Sequence, residues 1–410
     1  MFVLVAAPAA VASWSRRDAA PVAAPGVVVV CLDTLRADVL SLDSGRPVRM
    51  PRLEAFARES VTFADAIAPA AWTVPSVTSL LTGLDPGNTG VYGFPNTLPE
   101  IPRVVPTLPE RLVDAGWQTA ALTTSAWFGQ GAPTLRGFRD GCVGLDLDPE
   151  AVLRAWDRRR SHDAPFFLFL HSMAAHDPYL DRDAVRIGAR PRPESLVGED
   201  AARMDRIVDA VRRRERPDPA DLAWASEASD TSGALRASQL ASVPADLRTD
   251  VTHALKRWLD DECATDPLLP AVGARLRAAY ERGLAEADRS FGRILDGLDG
   301  LGLPAGTVVI VVGDHGEAFG EHGTLNHGRR LHDEMVRVPL IVRAPGRLGA
   351  PRIVRGPAGL VDVAPTILEL AGVAVPSGAT SGYVRGLIAV SSATRSDSML
   401  TSSLPRYTAA

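Results

Sequence analysis

Two strand-like segments of this chain end in residues that could hold a cation. An apolar run, Val27 to Leu32, leads into Asp33, and another, Val308 to Val312, leads into Gly313, Asp314, His315, Gly316 and Glu317. A single aspartate after a strand is more often a loop cap than a ligand. Two carboxylates and an imidazole delivered from two strand ends are different: in an open α/β sheet these ends line the ligand crevice, and oxygen and nitrogen donors together suit a divalent metal ion. Asp33, Asp314 and His315 are therefore the candidate ligands.

Between them lies a block from Trp72 to Gly83 in which Thr73 sits just ahead of Pro75. Proline at the first turn starts a helix, and a hydroxyl before it faces the positive end of the helix dipole, where an anion is favoured. On this stretch alone Thr73 reads as an ordinary N-cap. A cation beside it would lower the hydroxyl pKa and make Thr73 a nucleophile towards phosphorus or sulfur.

His315, His322, His327 and His332 are four of the eight histidines in the chain, and they fall among Asp314, Glu317, Glu321, Asp333 and Glu334. Such density in a glycine-bearing segment points to an anion and metal site. His327, between Asn326 and Gly328, is the candidate contact for an ester oxyanion or leaving group. His322 and His332 read equally well as structural. A third strand, Phe166 to Leu170, runs into His171 and then His176, Asp177, Pro178 and Tyr179. His176 is placed to protonate a leaving oxygen or bind the transferred group, whereas His171 is expected to close the strand.

The elements that must position these residues are short. Val27–Leu32, Thr119–Leu122, Phe166–Leu170, Val308–Val312 and Val338–Val342 are β-rich runs too short for buried helices. The best helical period joins Leu276, Tyr280, Leu284, Ala287, Phe291, Ile294 and Leu298. Shorter helices are expected over Pro51–Ser60, Pro75–Leu81 and Val363–Leu370, with Gly83 and Gly372 as stops. Strands alternating with helices imply an α/β three-layer sandwich, a largely parallel central sheet with helices on both faces.

The 410 residues are 46% hydrophobic and 23% charged with a net charge of −5, so a sizeable core is available and no basic face exists to neutralise a nucleic-acid backbone. Nucleic acid is not an expected partner. Cys31, Cys142 and Cys263 are far apart and read as small buried apolar residues rather than as a metal site or a disulfide framework. Residues 1–24 form an apolar segment, possible as a targeting remnant, that lacks a basic start. Its apolar stretch, Met1 to Ala12, is too short to span a bilayer, and no other segment is long enough. A periplasmic or secreted location is as compatible with this pattern as a cytoplasmic one. From about 181 to 270 the composition shifts to Arg, Asp, Ala and Ser with helical patches such as Ala201 to Arg214, which reads as a mostly helical insertion within a domain of 25–387.

With these segments in order, the chain resembles the sulfatase family of the alkaline phosphatase superfamily over Val27 to Tyr407. The matching blocks are Asp33 to Asp38, Trp72 to Gly83, His176 to Tyr179, the helix around Tyr280 to Leu298, Gly313 to Glu317, and Val338 to Gly346. The resemblance implies a single divalent ion (manganese, zinc or calcium) held by Asp33, Asp314, His315 and Thr73. It also implies attack on an ester by Thr73 and contacts to the transferred group from His176 and His327. Two departures matter. Sulfatases carry at the position of Thr73 a cysteine or serine that is oxidised to formylglycine, followed by an arginine where this chain has Val77. Threonine bears a β-methyl and cannot become that aldehyde, so no formylglycine is expected. Thr34 stands where the family usually has a second aspartate. After Leu387 the family continues through a further subdomain, of which 388–410 would be only the start. The expected activity is hydrolysis or transfer of phosphate esters through a threonine intermediate. Sulfuric ester hydrolysis and non-catalytic binding of an anionic glycan or lipid head group are the alternatives. The substrate is a small-molecule, glycan or lipid head-group ester.

Overall fold

The computed structural model describes residues 25–41, 49–92, 100–125, 128, 132–176, 198–228, 243–244, 246–247, 250–251, 269–328 and 330–375. The expectations for 1–24, for Asp177 to Tyr179, for part of the 181–270 insertion and for 388–410 lie outside the described residues.

Eight strands form one sheet: β1 (Gly26–Leu32), β2 (Val61–Ile67), β3 (Gln118–Thr123), β4 (Asp140–Val143), β5 (Phe166–Ser172), β6 (Val308–Gly313), β9 (Leu340–Arg343) and β10 (Arg352–Gly359), with β7 (Ala318–Phe319) and β8 (Leu325–Asn326) pairing separately. The spatial order is β10-β2-β9-β6-β1-β5-β3-β4. Only β9 runs antiparallel to its neighbours β2 and β6, so the sheet is largely parallel. The helices that cover it are α1 (Pro51–Arg58), α2 (Thr73–Thr82), α3 (Leu108–Asp114), α4 (Pro149–Asp157), α7 (Leu269–Gly300) and α8 (Val363–Leu370). Two others, α5 (Gly198–Arg212) and α6 (Pro219–Ala228), belong to the insertion and bury Met204, Ile207, Val208 and Leu222 in a separate cluster with Leu269 of α7 and Leu325 of β8.

The central strands are buried along their whole length, which is why they read as unbroken apolar runs. Their alternation still assigns faces. Val27, Val29, Cys31, Phe167, Phe169, Ile310 and Val312 pack with Val77, Leu80 and Leu81 of α2 and Ile367 of α8. Val28, Val30, Leu32, Leu168, Leu170 and Val311 pack with Phe56 of α1, Trp156 of α4 and the Tyr280–Leu298 stripe of α7. Phe291 of that stripe is fully buried and meets Phe56 edge-on at 5.9 Å; burying such a ring contributes about 1.5–3 kcal/mol.

The register places the site. Leu32 pairs with Ser172 on one side and Gly313 on the other, so Asp33 and Asp314 leave the sheet side by side. The Asp33 amide continues the ladder by donating to Ser172 O at 3.0 Å.

Several elements depart from expectation. The helix expected from Pro75 begins at Thr73, with Trp72 as its extended N-cap. The strand expected from Val338 begins at Leu340, because Pro339 has no amide to give the ladder. β2, β4 and β10 were not expected: β4 and β10 are sheet edges with exposed positions, and β2 carries Thr62, Ala64 and Asp65 among its apolar residues. Cys142 is only partly buried, whereas Cys31 is fully enclosed. No helix among the described residues is long and apolar enough to cross a membrane.

Candidate active site

Thr73 is the first residue of α2, and its hydroxyl does not cap the helix. The Oγ1 lies 3.4 Å from Asp33 Oδ2 and 3.3 Å from His315 Nε2. The N-cap reading of Thr73 therefore fails: the capping position belongs to Trp72, which makes no side-chain cap, and the threonine oxygen points at the acidic cluster instead. The amides of the first turn of this ten-residue helix lie beside it, and a helix N-terminus favours an anion.

Asp33, Asp314 and His315 present ligand atoms within 4.8 Å of one another, all buried. His315 Nε2 is 3.4 Å from Asp33 Oδ1 and 3.7 Å from Asp314 Oδ2. The other ring nitrogen, Nδ1, sits 2.9 Å from Gly316 O and donates to it in the neutral tautomer, which leaves the Nε2 lone pair facing the carboxylates. Burial pushes the His315 imidazole below the ordinary histidine range and His327 adds to this, against the pull of Asp314 and Asp33. Burial alone would raise the Asp314 carboxyl, but the His315 and His171 imidazoles and the His315 amide outweigh it and hold it at about 2.

Two carboxylate oxygens at the centre, Asp33 Oδ1 and Asp314 Oδ2, are buried without a hydrogen-bond partner. An enclosed carboxylate left this way is strongly disfavoured, and a divalent cation is the group that would satisfy both. The residues present fit such an ion.

The loops are held in place by specific contacts. Thr34 has φ 57°, a left-handed conformation that strains a β-branched residue by about 1–3 kcal/mol. It is maintained by Thr34 N donating to Asp314 Oδ1 at 3.2 Å and by Tyr280, whose hydroxyl donates to Thr34 O and accepts from Arg36 N, both at 3.2 Å. Arg36 in turn donates to Glu317 O at 2.7 Å. Ser76 of α2 donates to Asp314 O at 2.6 Å. At Gly316 a Cβ would lie 2.1 Å from Glu334 O, so only glycine lets this loop pack there.

His176 and His327 come together, with ring centroids 5.3 Å apart, and His327 lies over His315 at 4.5 Å. His327 Nδ1 is 3.1 Å from Glu317 Oε1, a carboxylate with no exposed surface, which orients the ring. His322 and His332 stack on each other at 4.1 Å, with His322 paired to Glu334.

Two residues of the site were not assigned from sequence. Glu317 stood in the acidic cluster, but nothing in its spacing tied it to His327. His171 was expected to close β5; it lies within that strand, fully buried, with Nε2 3.5 Å from Asp33 Oδ2 and 3.9 Å from Asp314 Oδ2. Its alternation with Phe167 and Phe169 assigns it to the α2 face of the sheet, but not to the carboxylates it meets there. Val77, in the position where the family has arginine, is buried in the core beneath α2.

Residues 25–373 match the sulfatase family model. The chain belongs to the sulfatase family. It is 25% identical over 367 residues to an ulvan-active sulfatase of Formosa agariphila, covering 86% of this chain and 63% of that protein. It is 28% identical over 413 residues to the steryl-sulfatase of Mus musculus, covering 86% and 62%. The chain thus spans less than two thirds of the length of these two relatives. A solved structure described as a complex with its substrate D-glucosamine-2-N,6-O-disulfate superposes with a TM-score of 0.60 at 19% identity, covering 89% of this chain and 80% of the other. A phosphonate monoester hydrolase of Agrobacterium radiobacter gives 0.54 at 19% identity, covering 85% and 74%. These two likenesses are of fold, a large and mostly parallel central sheet covered by helices.

Proposed function

We propose that this sulfatase-family chain is a metal-dependent hydrolase or transferase of phosphate or phosphonate esters that works through a covalent Thr73 intermediate. The observation that carries it is the Thr73 hydroxyl, which is not used as a helix cap and is aimed at Asp33 and His315. Asp33, Asp314 and His315, with Thr73, would hold a divalent ion, which when bound supplies positive charge that acidifies the hydroxyl and balances the ester oxyanion.

The residues then divide the work. Thr73 Oγ1 forms a bond to phosphorus as the ester P–O bond breaks, its proton passing to Asp33 Oδ2, the carboxylate oxygen 3.4 Å away. His176 and His327 flank the site and protonate the departing ester oxygen. A water or acceptor alcohol then takes the phosphoryl group, giving its proton to the histidine that protonated the leaving oxygen, and the P–Oγ1 bond breaks as Oγ1 recovers the proton held by Asp33.

Sulfuric ester hydrolysis is the second reading, supported by relatives that are named sulfatases. The β-methyl of Thr73 weighs against it, since the formylglycine route is closed. Turnover of matched aryl phosphate, phosphodiester, phosphonate and sulfate esters by metal-stripped protein resupplied with manganese, zinc or calcium separates the two. Phosphorus esters are expected to be cleaved faster, and preferential sulfate cleavage would replace the first reading with the second.

A further inference from the structure

The site holds an imidazole that the reaction above does not use. His171 is fully buried, and neither ring nitrogen has a hydrogen-bond partner among the described residues. Phe128 meets its ring edge-on at 4.6 Å and Phe169 lies 6.2 Å away, so aromatic contacts fix the ring while leaving its polar atoms unsatisfied. A buried histidine is normally hydrogen-bonded. The unpaired Nε2 lies beside the two carboxylates whose own oxygens Asp33 Oδ1 and Asp314 Oδ2 are orphaned. Three unsatisfied atoms, one from each of three buried side chains, therefore converge on one place.

Thr34 provides the context. A carboxylate there would add an oxygen donor, but Thr34 spends its hydroxyl on Asp33 O at 2.8 Å and points no acceptor into the cluster. A nitrogen donor instead enters from the neighbouring strand, since His171 pairs with Cys31 in the register that sets Asp33 beside Ser172.

We propose that His171 is a metal ligand, which with Asp33, Asp314 and His315 makes a two-carboxylate, two-imidazole set selecting a transition-metal ion such as zinc or manganese over calcium. This rests on the metal-dependent reading of the site. Calcium takes six to eight oxygen donors, whereas imidazole suits zinc and other first-row ions. Cys31 offers a sulfur within 4.8 Å of the His171 and Asp314 ligand atoms. Burial, with the carboxylates of Asp314 and Asp33, pushes its thiol well above the usual range, and the proposed set does not include it.

The test is equilibrium binding of zinc, manganese and calcium, each alone, to the metal-stripped chain, with bound metal counted by elemental analysis. Thermal unfolding is recorded with and without each metal. The wild-type chain is expected to bind one zinc or manganese ion in preference to calcium. His171→Leu, which keeps the apolar contacts to Phe128, is expected to bind zinc more weakly by at least roughly 10–100-fold, the loss typical of an outer-shell partner. Its metal-free Tm should not fall, because the orphaned nitrogens are gone. His171→Asn serves as a second variant should the leucine disturb the fold. Wild-type binding of zinc that either folded variant matches would overturn the ligand assignment alone. Absence of binding by the wild-type chain would overturn the metal-dependent reading itself.

Discussion

Thr73 Oγ1 stands 3.3 Å from His315 Nε2, although one comes from the first residue of a helix and the other from the loop after a strand 242 positions away. The contact exists because α2 packs Val77, Leu80 and Leu81 on the sheet face that Cys31 and Val312 share. The helix start is thereby set over the ends of β1 and β6.

Thr73→Ala should lower turnover of the preferred ester by more than about 10³-fold, as expected when a nucleophile is removed. Thr73→Ser keeps the oxygen and should retain far more activity. Intact-mass analysis after mixing with a slow substrate should show a phosphoryl adduct on wild-type protein and none on the alanine variant. An adduct on Thr73→Ala would place the nucleophile elsewhere.

His327 is held through its Nδ1 by the buried Glu317. If the ring assists the leaving oxygen, His327→Gln should reduce kcat by roughly 10²-fold or more with a smaller effect on KM. Glu317→Gln keeps a hydrogen-bonding group against Nδ1 and should be milder. Steady-state kinetics at saturating metal checks both, and equal losses in kcat and kcat/KM for His327→Gln would match a contact made only in the transition state.

The metal-free chain should lose stability as pH falls, in two windows. His315 has a folded-state pKa below its ordinary 6.5, so the unfolded chain takes up a proton that the folded chain refuses. Its contribution is intact above 6.5 and declines as pH drops below that value. Asp314 sits at about 2 against an ordinary 3.8, so its contribution is intact above 3.8 and is lost between 3.8 and about 2. Denaturant titrations of metal-stripped protein across this range should show the first decline flattened in His315→Asn. Stability that rises below pH 6.5 would contradict a buried neutral imidazole.

The strands that carry the ligands were legible because β1, β5 and β6 are buried on both faces, so Val27–Leu32, Phe166–Leu170 and Val308–Val312 need no partner information to be read. β10 was not legible, since an edge strand with Arg352, Arg355 and Pro357 has the composition of a loop. Asp33, Thr73, Asp314 and His315 could be named from their places at element ends, and the structure gathers them. His171 could not: a histidine one residue before a strand terminus reads as a stop, and only the pairing of Cys31 with His171 shows that it faces the carboxylates. Glu317 was obscured in the same way, because sequence spacing carries no information about which of several nearby histidines a carboxylate meets.

Gly316 tests how tightly the ligand loop is tied to the neighbouring chain. Its amide donates to Met335 O at 2.7 Å, and a Cβ would meet backbone, Glu334 O, at 2.1 Å. A carbonyl cannot swing aside as a flexible side chain would, so Gly316→Ala must separate the loop from residues 334–335. Overpacking of this kind costs about 1–3 kcal/mol, and the Tm should fall accordingly. His315 precedes Gly316 and donates to its carbonyl, so the displacement should also weaken zinc binding and turnover beyond what the loss of folded protein explains. An alanine variant with wild-type Tm and metal affinity would show that the 334–335 segment yields easily and does not hold His315 in place.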